Sequence, residues 1–128
     1  MKRQSILIFI FLFIITIFFK IDTTPVFANT SHCGTIGSNE VWSSSGNVHV
    51  ITCNVIVPTD VKLTIGEGAI IKFNSGTSLI INGTLDAQGT ATDKIYFTSY
   101  RDDTVGGDTN GDGSTVGARS DWDRIEFT

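Results

Sequence analysis

The segment VIVPTDVKLTIGEGAIIKFNS, residues 55–75, is followed by a segment that repeats its apolar pattern. At an offset of 24 residues, apolar positions of the first segment meet apolar positions of the second: Val55–Val57 with Leu79–Ile81, Val61 with Leu85, Ile71 with Ile95, and Phe73 with Phe97. The apolar runs are short and rich in β-branched residues, and turn residues separate them, which is typical of short strands joined by tight corners. A repeat of this length is typical of a solenoid, a propeller or an array, in which each unit buries its apolar face against a copy of itself.

The dipeptide Asn82-Gly83 leaves a second interpretation open. Asn-Gly is a strong hairpin signal, and a hairpin here would make the sheet antiparallel and the fold a sandwich. In a coil of parallel strands, the same residues would take a left-handed conformation at a corner between two sheets. The offset of 24 favours the coil, because stacking explains why Leu79–Ile81 copies Val55–Val57 and a hairpin does not.

Stacked coils predict ladders of like side chains, with successive coils about 4.8 Å apart. We expect Phe73 to lie over Phe97, and Ile71 over Ile95, on the inside of the coil. The intervening charged side chains are expected to point outward into solvent: Lys72, Asp86, Lys94 and Arg101.

Short motifs recur along the chain after residue 54. They are Leu63-Thr64-Ile65 with the Gly66/Gly68 corner, Ile71-Lys72-Phe73, Leu79-x-Ile81-x-Gly83-x-Leu85-x-Ala87-x-Gly89-Thr90, Ile95-x-Phe97-Thr98-Ser99, and Asp121-Trp122 before Ile125-x-Phe127. Together they resemble the opening coils of right-handed parallel β-helix repeat proteins, the pectate-lyase-like superfold of secreted and surface proteins in prokaryotes. Members of that family often carry Pro-Gly where this chain has Glu67-Gly68.

The resemblance implies a fold and a location. The fold is an all-β, right-handed parallel β-helix of about two to three coils with an N-terminal cap, and the setting is extracellular. It implies no single activity, because the superfold hosts lyases, hydrolases, adhesins and proteins with no known chemistry.

Residues 1–28 have the features of an export signal. Lys2 and Arg3 precede the apolar run Ser5–Phe19, and a Val-Phe-Ala site ends at Ala28. As a helix this run would measure about 22 Å, which is shorter than a hydrocarbon core of about 30 Å. We therefore expect cleavage after Ala28, a secreted or cell-surface protein, and membrane contact only through the signal peptide. An uncleaved signal anchor is the alternative.

The chain without its signal is acidic. Removing residues 1–28 takes three of the 9 basic and one of the 13 acidic residues, so the net charge changes from −4 to −6. An acidic surface repels phosphate backbones, and we expect no nucleic-acid partner. Only two full copies of the repeat fit before Thr128, whereas solenoids need about three. We therefore expect that this is the N-terminal part of a longer protein.

Residues 29–54 precede the repeat and contain both cysteines. In an oxidising compartment two cysteines are usually paired. A Cys33–Cys53 disulfide would close a loop of about 20 residues and help to cover the open edge of the first coil. The alternative is a metal site, whose spacing fits no familiar zinc pattern, formed by His32, Cys33, His49 and Cys53. Trp42 is expected to pack inside this cap.

Residues 102–121 interrupt the coils of residues 55–101 with an acidic, glycine-rich insertion, and residues 122–128 begin the next coil. The stretch Asp108–Gly113 fits D-x-[DN]-x-[DN]-G, the first half of a calcium loop, in which alternate oxygens converge on one ion. The twelfth position is Arg119, not the glutamate of an EF-hand. We predict a calcium site drawn from six side chains: Asp102, Asp103, Asp108, Asn110, Asp112 and Asp121. A solvated acidic loop is the alternative.

Catalysis within these residues is not expected. Asp102 and Asp103 are adjacent and would point to opposite faces of a strand, and Asp121 with Asp123 has no assignable acid partner. We predict a non-catalytic N-terminal β-helix segment of an exported protein, which presents a surface to polysaccharide or to the cell envelope. The alternative is the N-terminal part of a polysaccharide lyase or glycoside hydrolase, whose catalytic coils lie beyond residue 128.

Overall fold

The structure is a computed structural model that describes residues 28–45 and 47–128. The predicted signal peptide lies outside the described residues except for Ala28. Within this part of the chain every regular element is a strand: β1 Ala28–Thr35, β2 Glu40–Trp42, β3 Asn47–Val57, β4 Lys62–Ile65, β5 Ile70–Phe73, β6 Leu79–Ile81, β7 Thr84–Ala87, β8 Tyr96–Ser99 and β9 Ile125–Phe127. A search of the same residues for a helix long and apolar enough to cross a membrane found none.

The strands stack in three rows, and all the strand pairs in these rows are parallel. One row is β2-β4-β7. Strand β3 belongs to the other two, because its first half pairs with β5 and its second half with β6; β8 and β9 extend these rows. The chain therefore forms a parallel β-solenoid of about three turns. We call β2–β3 coil 1, β4–β6 coil 2 and β7–β9 coil 3.

The predicted solenoid is confirmed, and the antiparallel sandwich is wrong. Strands β6 and β7, which a hairpin at Asn82-Gly83 would pair, lie in different sheets. Gly83 is also not in the predicted left-handed conformation. Its role is to allow close approach, since a Cβ at this position would lie 2.1 Å from the carbonyl oxygen of Pro58 and 2.3 Å from that of Val61.

The core fills the inside of the coils with aliphatic ladders. Val55 faces Leu79 and Val57 faces Ile81, as predicted, and all four side chains are buried. Full burial of such a side chain is worth about 1.5–3 kcal/mol. In coil 3 the ring of Trp122 stacks on Phe73, with ring centroids 4.2 Å apart.

The predicted register is wrong in the other rows. Ile71 faces Phe97 and Phe73 faces Ser99, an offset of 26, so the expected Phe73–Phe97 and Ile71–Ile95 ladders do not form. Leu63, not Val61, faces Leu85, an offset of 22. Corners of different length absorb these shifts. Each observed offset differs from the predicted 24 by two residues. Because side chains alternate with a period of two, a shift of two leaves the same residues facing inward.

The insertion lies over the outer face of the row formed by β3, β5 and β8. A Cβ on Gly106 would lie 2.9 Å from Val48 Cγ2 and 3.3 Å from Ile70 Cδ1, so the insertion contacts this face directly. Val48 and Val50 are buried although they alternate with the inward-facing Ile51. We call residues 100–117, which include this contact, the strap.

The prediction that the outer charged side chains face solvent is wrong for Lys72. It alternates with the core residues Ile71 and Phe73, and so points away from the core, yet it is 0% exposed. Its ammonium group donates to Gly107 O at 2.8 Å and to Thr109 Oγ1 at 3.0 Å. The strap therefore covers this lysine and uses it as an anchor.

Candidate functional site

The strap reaches from coil 3 to the N-terminal strand. It leaves β8 at Tyr100, whose hydroxyl donates to Thr109 O at 3.0 Å. The same carbonyl accepts a hydrogen bond of 3.0 Å from Asn29 Nδ2 in β1. Together with the bond from Lys72 in coil 2, these contacts make Thr109 the point where the strap, which begins at coil 3, is fixed to coil 2 and to β1.

Three of the predicted calcium ligands meet in the strap. One carboxylate oxygen from each of Asp103, Asp108 and Asp112 lies within 4.8 Å of the others. The backbone N–H groups of Gly111 and Gly113 donate to Asp108 at 2.7 and 3.1 Å, and both glycines have positive φ, 74° and 87°. These left-handed glycines turn the chain tightly enough to bring the carboxylates together.

Asp103 has one oxygen that is buried and unsatisfied. Its Oδ2 accepts a hydrogen bond of 2.7 Å from Thr115 N, whereas Oδ1 is buried without a hydrogen-bond partner among the described residues. A buried carboxylate oxygen without a partner is costly. Oxygens of this kind are the ligands that Ca²⁺ prefers, so the cluster has the donor set for a hard divalent cation.

The other predicted ligands make different contacts. Asn110 borders the cluster, since its Nδ2 donates to Asp112 Oδ2 at 2.9 Å. Asp102 accepts from Thr98 and Thr104; although burial opposes the shift, these hydrogen bonds lower its pKa. Asp121 accepts from Ala118 N at 2.8 Å, which lowers the pKa of that carboxyl. Neither Asp102 nor Asp121 belongs to the group of three.

Burial lowers the pKa of Lys72 beneath the strap, and the nearby carboxylates of Asp103, Asp102 and Asp108 oppose that shift. The acidic strap therefore lies on an internal counter-charge. Sequence reasoning missed this pairing, although the signal was present in β3 and β5. Each contains two adjacent apolar residues, Val50-Ile51 and Ile70-Ile71, a pattern of strands that are covered on both faces.

The N-terminal cap contains the predicted disulfide, Cys33–Cys53, with the Cα atoms 4.8 Å apart. It joins β1 to β3 beside an irregularity in their register between His32 and Gly34. The alternative metal site is wrong, because both of its sulfur ligands are bonded to each other. Strand β3, which carries Cys53, also crosses the predicted boundary between the cap and the coils at residue 54.

A cluster of rings fills the end of the solenoid that β1 covers. Trp42 is 2% exposed and stacks on His32 at a centroid distance of 3.9 Å and on His49 at 5.4 Å. Its Nε1 donates to Glu40 Oε2 at 2.9 Å. The prediction that Trp42 packs in the cap is confirmed. The pairing of the two histidines was missed, because it depends on the register between β1 and β3.

A polar cleft of about 470 Å³ opens at the corner between β5 and β6. Arg101 and Asp121 line it together with Asn74, whose Oδ1 is buried and has no hydrogen-bond partner in residues 28–45 and 47–128. Ser99 also lines the cleft and accepts from Arg101 N at 3.1 Å. The cleft thus offers a guanidinium and a carboxylate to a polar ligand. No motif in the sequence predicts this cleft, because its residues come from separate parts of the chain.

Comparison with protein-family models, with curated proteins and with solved structures gave no match.

Proposed function

We propose that this chain is a non-catalytic segment of an exported β-solenoid and that its polar cleft presents a binding surface to polysaccharide or to the cell envelope. The polar lining of the cleft carries the proposal, because Arg101 and Asp121 border one open space of about 470 Å³. Sugar hydroxyls can donate to the Asp121 carboxylate, and Arg101 would add charge-assisted hydrogen bonds to hydroxyl or carboxylate oxygens of the ligand.

Export and right-handed winding belong to the same proposal. The apolar N-terminal run supports export, and the Cys33–Cys53 disulfide is typical of oxidising compartments. Parallel strands joined by crossovers are almost always right-handed. The motifs that resemble pectate-lyase-like proteins support the same winding.

Isothermal titration calorimetry tests whether the cleft binds sugars. The ligands are defined oligosaccharides, both neutral and uronate-containing. We expect Arg101→Ala to weaken binding at least tenfold, about 1.4 kcal/mol, through the loss of charge-assisted hydrogen bonds. Lys94→Ala removes the same charge from an exposed position and is the matched control. Equal losses in both variants would show that binding depends only on net charge. Release of shortened products during the titration would instead favour the enzyme alternative.

We further propose that the strap binds calcium through Asp103, Asp108 and Asp112. The unsatisfied Asp103 Oδ1 supports this proposal. We expect millimolar CaCl₂ to raise the melting temperature, since a ligand that binds only the folded state stabilises it. Asp103→Asn should abolish the increase. Asp60→Asn, at an exposed corner, and Asp121→Asn, outside the group of three, should retain it. An unchanged melting temperature of the wild-type protein would rule out a calcium site in the strap.

A further inference from the structure

The end of the solenoid beneath coil 1 is closed by imidazole rings where the next coil has aliphatic side chains. His49 of β3 faces Ile71 of β5, and both point inward. His32 of β1 faces Ile51 in the neighbouring ladder. The contact between β1 and coil 1 therefore depends on two groups that can take up protons.

Hydrogen bonds assign the protons of this pair. His49 Nε2 lies 3.0 Å from Ser43 O, and a carbonyl can only accept, so Nε2 carries a hydrogen. In the neutral ring Nδ1 is then an acceptor. It lies 2.9 Å from His32 Nε2, which must be the donor. When both rings are neutral, each therefore has a single tautomer that satisfies these contacts.

The surroundings disfavour positive charge on either ring. Burial lowers the pKa of His32 to about 4, and His49 adds to the shift, while the Glu40 carboxylate of β2 opposes it. Burial also lowers the pKa of His49, against the hydrogen bond to Ser43. Glu40 is the one carboxylate among the described residues that acts on this pair. The third ring, Trp42, excludes water from one side by stacking.

We propose that the His32–His49 hydrogen bond is an acid-sensitive latch that holds β1 and Trp42 in the end of the solenoid. One added proton leaves the bond in place. A second proton puts an N–H on both facing atoms, so no lone pair remains between them and the two positive rings repel each other. The Cys33–Cys53 disulfide keeps β1 beside β3, so the latch opens without releasing the strand and closes again at neutral pH.

The stability of the cap should follow from this linkage. Unfolded His32 takes up its proton near pH 6.5, whereas folded His32 does so only near pH 4. The unfolded state binds more protons throughout this window, so the free energy of unfolding falls as the pH drops through it.

Titration of the two histidine rings by NMR tests the latch directly, because the chain contains only two histidines. We expect both rings to take up their protons below the ordinary pKa of 6.5, with the second proton accompanied by a change in Trp42 fluorescence, recorded in a Trp122→Phe background. Far-UV circular dichroism should stay constant over the same range. Titration of both rings near pH 6.5, or unchanged Trp42 fluorescence when both are protonated, would overturn the proposal.

Two variants distinguish the effect of the histidine pair from that of the Glu40 carboxylate. His32→Gln keeps an N–H donor toward His49 and cannot hold the second charge, so the fluorescence transition should disappear. Glu40→Gln removes the opposing carboxylate, so the transition should persist at a lower pH. An unchanged transition in His32→Gln, or its loss in Glu40→Gln alone, would contradict the latch. If His32→Gln does not fold, the ring titration of the wild-type protein decides.

Discussion

Gly83 has its backbone so close to the β3–β4 corner that no side chain fits. Its N–H donates to Val57 O at 3.1 Å, and the two carbonyl oxygens that a Cβ would strike belong to the backbone and cannot rotate away. We expect Gly83→Ala to lower the free energy of unfolding by about 2–4 kcal/mol, measured by urea denaturation. Gly37→Ala, where no atom lies within 4 Å of the added Cβ, should change it by less than about 0.5 kcal/mol. Similar losses at both positions would mean that chain flexibility, not close contact, decides the effect.

Lys72 is the second residue whose role follows from its burial. Lys72→Met keeps the aliphatic stem but leaves Gly107 O without its donor, and we expect a loss of about 1–3 kcal/mol in thermal or urea unfolding. Lys62→Met removes a half-exposed ion pair with Asp86, 2.6 Å long. Because such surface pairs contribute little, this control should lose less than about 1 kcal/mol. Equal losses would show that the strap does not depend on the Lys72 ammonium.

At the scale of the element, the strap covers the solenoid from outside, and its two ends lie close enough to be joined directly. A Cβ on Gly117 would lie 3.2 Å from Asp102 Cβ, so the two ends of the strap are neighbours. Excision of residues 103–116 with a short glycine linker should therefore leave the coils joined while uncovering Val48 and Ile70. We expect faster amide exchange in β3 and β5, with β4 and β7 as the internal control. Uniform exchange rates in all four strands would show that the strap protects nothing.

The elements also show how far sequence reasoning reaches. The strands could be predicted from the burial of alternate residues, which has a period of two. Corners whose lengths differ by an even number of residues preserve that alternation. Phe97 could not be placed opposite Ile71, since the register depends on corner length. A single offset of 24 residues cannot describe corners of different length. The acidic residues of the strap were recognised as a group. Their meeting also involves Asp103, which lies just after β8 and outside the local motif.

At the scale of the whole molecule, the disulfide decides how the solenoid unfolds from its N-terminal end. A Cys33→Ala/Cys53→Ala variant loses the constraint on a loop of 20 residues, and we expect a stability loss of about 3 kcal/mol, measured as a lower melting temperature. Because coils stabilise their neighbours, β1 should lose amide protection first. Simultaneous loss of protection in β1 and β6 would show that the cap has no separate stability.

Thr109 connects levels of the solenoid that are not neighbours, through Asn29 in β1, Lys72 in coil 2 and Tyr100 after β8. A stack held only by adjacent coils can fray one layer at a time. Here part of a force applied along the solenoid axis would pass through the contacts of Thr109 as well as through the stacked coils. The coils should therefore separate together and not one at a time.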